Sequence, residues 1–119
     1  MFLKLQHQNL DVYNTTRKFV LECYKITKLF PVDEKYVLTS QIRRAGLSVH
    51  LNLAEGSSRK SPVERKRFFE ISRSSVIEID AAFDITSDLG YFDNQNTEQI
   101  GDLTNRCFSL PSRLIVATN

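Results

Sequence analysis

The sequence predicts an all-α fold: an antiparallel, up-down-up-down four-helix bundle forming a single domain over residues 1–119. Three observations carry this. Apolar residues recur at three- and four-residue spacing nearly throughout, with no convincing run of strand alternation. The breaks between these stretches carry the residues of helix ends: Pro31, Gly56-Ser57-Ser58, Ser61-Pro62 and Gly90. The connections are short, which makes consecutive helices antiparallel neighbours. A chain of 119 residues buries roughly two thirds of its unfolded surface, enough for a core without metal or disulfide staples.

The first helix is expected near 10–29, on the seam Val12, Phe19, Cys23, Ile26 and Phe30, and Pro31 stops it. The second runs near 34–57, with Asp33 as its expected cap and Gly56 at its end. Ser61-Pro62-Val63-Glu64 is a capping box opening the third helix, near 62–89, with serine at the N-cap, proline at the first helical position and glutamate three residues on. Gly90 supplies a left-handed C-cap. The fourth helix, near 96–116, starts at Asn96 with Gln99 and follows Ile100, Leu103, Cys107, Leu110 and Leu114. Pro111 beside that seam is expected to kink or split it, because its ring clashes with the preceding turn. About eight N-terminal and three C-terminal residues are expected to fray.

Charged residues make up 25% and hydrophobic ones 41% of the chain, the balance of an ordinary soluble domain. No apolar run approaches the ~18 residues of a membrane span, and residues 1–10 lack a signal-peptide pattern, so a cytoplasmic protein without membrane contact is expected. Cys23 and Cys107 stand far apart, outside any CxxC or Cys/His cluster, and read as small buried hydrophobes. The net charge of +2 is modest, but its distribution is not. Arg43, Arg44, Arg59, Lys60, Arg65, Lys66 and Arg67 face only Glu55 and Glu64 over that stretch, whereas residues 74–105 hold seven acids and no Lys or Arg.

The second helix carries an unusual pattern. At ~100° per residue, Arg44, Ser48, Asn52, Glu55 and Arg59 fall within an arc of about 80°. Apolar residues flank that arc on both sides: Leu38, Ile42, Ala45, Val49 and Leu53 on one, Leu47, Leu51 and Ala54 on the other. Arg43, His50 and Ser57 read as the solvated strip. A polar stripe between apolar arcs is expected to be buried and paired. The third helix has two interleaved seams, one through Phe69, Val76 and Phe83, the other through Phe68, Ile71, Ser75, Glu78, Ala82, Ile85 and Leu89. Glu78 on the second is the natural partner for the stripe. The expectation is a structural network of Arg44, Ser48, Asn52, Glu55, Arg59 and Glu78, with Gly46 and Gly56 allowing close backbone approach. A catalytic use of Glu55 and Glu78 lacks a nucleophile, a phosphate loop or a metal set, and the Glu-x-x-His spacing of di-iron bundles is absent. His7 falls in the expected frayed terminus. No catalytic residue, metal or cofactor is therefore expected.

The stretch LFPVDEKYVLTSQIRRAGLSVHLNLAEGSSR (29–59), the pair Phe68-Phe69 and ISRSSVIEID (71–80) resemble the bacterial four-helix bundle family named for 23S rRNA intervening sequences. They are more distantly similar to the accessory variability protein of diversity-generating retroelements. The family pattern matches at Pro31, Glu34, Leu38, Gln41, Arg44, Ala45, Ser48, Asn52, Ala54, Glu55, Gly56, Arg59, Phe69 and Glu78, and departs from it at Ser74 and Pro111. The resemblance implies a homopentameric ring of four-helix protomers with a basic surface and no enzymatic activity. The retroelement relative is associated with nucleic acid and with a reverse transcriptase, which makes a partner protein of that kind an expectation.

Two functions follow. The leading one is non-enzymatic binding of nucleic acid, RNA or RNA–DNA, by Arg59, Lys60, Arg65, Lys66 and Arg67, reinforced by repetition in an oligomer. The other is a protein–protein adaptor ring, in which the acidic stretch 78–102 meets the basic cluster of a neighbouring subunit and no nucleic acid is touched.

Overall fold

Four long helices form where the seams place them: α1 (Asp11–Thr27), α2 (Leu38–Ser58), α3 (Pro62–Asp88) and α4 (Glu98–Thr118). The structure is a computed structural model describing residues 2–118. No strand occurs among the described residues. Each helix packs against its neighbours in chain order, and α4 returns onto α1 to close the bundle. Met1 and Asn119, the outermost positions of the expected frayed ends, lie outside the described residues. Regular structure nevertheless reaches further than expected at both ends: Gln6–Asn9 form a 3-10 turn and α4 is helical to Thr118.

The interior has two parts. Phe19, Cys23, Ile26, Phe30, Ile42, Ala45, Val49, Val76, Ile79, Ile100, Leu103 and Cys107 fill the larger one. Val12, Tyr13, Leu53, Phe69 and Ile115 fill the smaller, toward the α2–α3 turn and the chain termini. Of the α3 residues named, Phe69 and Val76 belong to the first seam, and Ile79, three residues beyond Val76, to neither. Of the second seam only Ser75 is buried, while Ile71, Glu78, Ile85 and Leu89 are exposed. At the far end Phe30 meets Tyr91 and Phe92 with ring centroids 5.6 and 6.1 Å apart. The Tyr91 hydroxyl donates to Glu34 (2.8 Å), tying the α3–α4 connection to the α1–α2 connection.

The caps explain most boundaries. Ser61 accepts from the Glu64 N–H (3.4 Å) with Pro62 at the first helical position, as expected. Gly90 adopts φ +80°, its N–H donating to the Ser87 carbonyl (3.0 Å) while Tyr91 N–H donates to Thr86 (3.1 Å), a Schellman closure of α3. Asn96 accepts from the Glu98 N–H (3.0 Å). Two expectations need correction. Asp33 does not cap α2: residues 32–34 form a separate 3-10 turn, and α2 starts at Leu38. Nor does Pro111 split α4, which is continuous through it. Pro111 is fully buried, so core packing offsets its lost backbone bond, and Ser112 Oγ donates to the Phe108 carbonyl (2.7 Å) in the same turn.

The two glycines of α2 differ. A Cβ on Gly56 would lie 2.8 Å from the Phe69 ring and 3.0 Å from Phe68 Cβ, so only glycine lets α3 start against the end of α2. A Cβ on Gly46 would meet Cys23 Sγ at 3.4 Å, an ordinary contact. Gly56→Ala is therefore expected to cost about 1–3 kcal/mol by overpacking. Gly46→Ala should be neutral or stabilise by up to ~1 kcal/mol through helix propensity. Urea midpoints of the two variants check the contrast, which fails if they shift alike.

Candidate nucleic-acid interface and the polar seam

Behind Gly56, α2 and α3 run close together, and their contact is lined by small polar groups. Ser72 Oγ donates to the Val49 carbonyl (2.7 Å) and Ser75 Oγ to Ser48 Oγ (2.8 Å). Asn52 Nδ2 donates to the Ser48 carbonyl (2.9 Å) and lies 3.0 Å from its hydroxyl. Among the described residues no buried side-chain polar atom lacks a partner. Each such bond contributes about 1 kcal/mol net, and its absence would leave a desolvated group.

The expected six-residue network is thus only partly assembled. Ser48 and Asn52 belong to it, joined by Ser75 and with Ser72 one turn away. Glu55 and Arg59 pair with each other at 3.1 Å on the surface, 53% and 44% exposed. Arg44 and Glu78 are exposed, and neither forms an ion pair among the described residues. At the separation Gly56 imposes, the seam has room for serine and asparagine but not for a guanidinium or a carboxylate with its hydration, so the charged part of the stripe lies on the rim. Leu47 (37% exposed), Leu51 (56%) and Ile71 (38%) share that rim, so most of the apolar arc on this side of the stripe has no covering helix in the chain, whereas Ala54 packs against the Phe69 cluster.

The strip of Arg43, His50 and Ser57, expected in solvent, is instead half-buried, and Arg43 and His50 face α1. Arg43 Nε donates to Thr27 Oγ1 (2.8 Å) and its guanidinium stacks 4.8 Å from the Tyr24 ring, placing a cation on the last turn of α1. His50 Nδ1 lies 2.8 Å from Thr16 Oγ1, and its ring 4.6 Å from that of Tyr13, which in turn meets His7 edge-on at 5.5 Å. The sequence signal for this contact was present. Positions 43, 50 and 57 repeat every seven residues, and a helix inside a closed bundle must present one row to each neighbour.

The basic cluster gathers at one end of the bundle, around the α2–α3 turn. Arg65 Nη1 donates to the carbonyls of Ser57 (3.4 Å) and Arg59 (3.3 Å), capping the C-terminal end of α2. Arg59 pairs with Glu55 and sits 5.1 Å from the Phe68 ring. Lys66 is half-buried, and Lys60 and Arg67 are exposed. Arg67 opens a shallow groove along α3 with Glu70, Ile71, Ser74 and Glu78. Among the described residues no group of three His, Cys, Asp or Glu side chains could hold a metal ion. Burial pushes the Cys23 thiol up to about 12, helped by the nearby Cys107, and pushes Cys107 up to about 12 as well. Both thiols are therefore poor nucleophiles at neutral pH. No helix of the described residues is long and apolar enough to cross a membrane.

Burial lowers the His50 pKa below 6.5, assisted by Arg17 and His7. A base held neutral in the fold contributes stability that is complete above its unfolded pKa and lost as pH falls below it. Wild-type protein is expected to lose more stability than His50→Gln between pH 7.5 and pH 5.5. Parallel losses in urea titrations at the two pH values would contradict this.

A family model described as 23S rRNA-intervening sequence protein matches residues 8–112. No curated protein matches the sequence. The chain belongs to the 23S rRNA-intervening sequence protein family.

Proposed function

We propose that this 23S rRNA-intervening sequence protein is a non-enzymatic, homo-oligomeric module that binds nucleic acid, RNA or RNA–DNA, through the basic corner at the α2–α3 turn. The observation that supports it is the convergence of Arg59, Lys60, Arg65, Lys66 and Arg67 on one end of the bundle, with Lys60 and Arg67 exposed. Arg65 organises the corner by capping α2, and Lys60, Lys66 and Arg67 contact phosphates. Phe68 is half-buried beneath Arg59, so the corner offers no open stacking platform. Binding then rests on phosphate charge and is nearly indifferent to sequence.

A single protomer of net charge +2 is a weak polyelectrolyte ligand. Repetition in a ring supplies the missing affinity through effective concentration. The rim of Leu47, Leu51 and Ile71 around the polar seam supports such assembly, since it is apolar surface with hydrogen-bonding side chains at its centre. Five subunits is the number the family resemblance implies. The competing reading is an adaptor ring without nucleic-acid contact, supported by the acid-only stretch 74–105, which the basic corner of a neighbouring copy would neutralise.

Changing Lys60, Lys66 and Arg67 together to Gln is expected to flatten the slope of log affinity against log salt by up to ~0.9 per lost duplex contact, or ~0.7 for single strands. Filter binding with an unstructured RNA and a duplex DNA measures this. No wild-type binding at ~50 mM salt favours the adaptor.

Leu51→Arg is expected to lower the particle mass toward the 13.7 kDa protomer without loss of helix content. Light scattering of the wild type at micromolar concentration checks the premise, and a protomer mass there would reject the ring.

A further inference from the structure

On the opposite side of α3 from the seam, a groove runs between α3 and α4. One section, about 270 Å³, lies between Val76 and Ile77 on α3 and Phe108 on α4. The next, about 240 Å³, continues toward Phe83 and Phe92, and the two share Asp80, Thr104 and Asn105. Ile77 is 53% and Phe108 43% exposed, so the groove has apolar walls open to solvent at one end. Phe83 and Phe92, edge-to-face at 5.7 Å, wall the other.

The polar groups of the groove offer acceptors and negative charge. Thr104 Oγ1 donates to the Ile100 carbonyl (2.6 Å) and Asn105 Nδ2 to the Gly101 carbonyl (3.1 Å), so these side chains use donors on their own helix. Asp80 is exposed on the α3 wall, Asp84 follows one turn on, and no Lys or Arg occurs from 74 to 105. One cation, Arg73, marks the Phe108 end, 6.0 Å from that ring.

Gly101 supplies a second, independent observation. It lies inside α4 and lines the groove, its φ is not positive, and a Cβ added there would meet nothing within 4 Å. A helix-interior glycine costs roughly 0.5–1 kcal/mol relative to alanine, and here the protomer gains no packing in return. Its missing side chain instead leaves room for another backbone to approach.

We propose that the α3–α4 groove docks a positively charged amphipathic helix of a partner protein. From Thr97 to Phe108 the α4 wall rises about 17 Å, three turns of a guest helix. Apolar anchors about two turns apart on the guest enter beside Ile77 and Phe108 and beside Phe83 and Phe92, and its Lys or Arg residues face Asp80 and Asp84. The guest backbone passes over Gly101. A second copy offers a comparable face on and just after α1, where Arg17, Lys18, Leu21 (63%), Lys25, Lys28 and Leu29 (69%) are exposed, and particle mass distinguishes that occupant from a partner protein. The proposal is independent of the nucleic-acid reading.

The test titrates the full-length protein with a labelled 15-residue helical peptide of Lys and Leu, leucines spaced i, i+3, i+7. Two controls accompany it, one with the leucines changed to Gln and one with the lysines changed to Glu. The Lys/Leu peptide is expected to bind and both controls to bind at least tenfold more weakly. Gly101→Gln, which fills the groove with a residue compatible with the helix, should weaken binding at least tenfold, and Asp80→Asn should weaken it and reduce its salt dependence. Circular dichroism and particle mass should be unchanged in both variants. No peptide binding, equal binding of the leucine-free control, or equal affinity for Gly101→Gln would overturn the proposal. So would a fall in particle mass on either substitution, which would make the groove a contact between copies.

Discussion

The close approach of α2 and α3 at Gly56 is the constraint from which the rest of the molecule follows. With no Cβ there, Phe69 packs against the α2 backbone and α3 leaves the turn already in register. The two helices then run near enough for Ser72 to reach the Val49 carbonyl and Ser75 to reach Ser48. At that distance large charged side chains are expelled from the contact, and Arg44, Glu55 and Glu78 come to lie along its rim. The same approach folds the chain back sharply at 59–61, which collects the cations on either side of the turn at one corner.

Those cations divide by what their geometry lets them do. Arg43 and Arg65 each reach the end of a preceding helix: Arg43 adds a donor to the Tyr24 carbonyl, which also accepts from the Lys28 N–H, and Arg65 reaches the carbonyls of Ser57 and Arg59. Guanidinium suits this, since it offers several donors in a plane and stacks on Tyr24 or Phe69 at the same time. Lys60 and Arg67 carry no such task. Counting basic residues therefore overstates the charge a phosphate ligand would meet there. The seven acids of 74–105 are placed apart from it, along the far half of α3, the following turn and the start of α4. The chain consequently has a positive end and a negative flank, and the two proposed binding surfaces do not compete.

Several features of the site were legible from residue order alone. The turn at 56–61, its capping serine and the basic cluster around it are local patterns, and they fold as expected. The polar stripe of α2 was legible as a pattern but not as an environment. Apolar residues on both sides of it suggested burial, yet on one of those arcs Ala54 alone packs inward, and Leu47 and Leu51 have no covering helix in the chain. His50 erred in the opposite direction, because its row faces α1 and its partner, Thr16, lies 34 positions away in the chain. At Pro111 the sequence left a kink and a split open, and a buried position in the core keeps α4 continuous through it.

By itself the sequence determined the number of helices, most of their ends, their antiparallel order and the gathering of positive charge at one turn. Each of these depends on spacing, capping chemistry and loop length over a few residues. Only the tertiary structure decided which of the two apolar seams of α3 faces the core, which row of α2 meets α1, and which arginines are occupied as caps. An amphipathic helix with apolar residues on two faces has two self-consistent orientations in isolation. The choice between them rests on contacts between residues distant in the chain, here the fit of Phe69 against Gly56, and it leaves Ile71 and Ile85 on one outer side and Ile77 on the other.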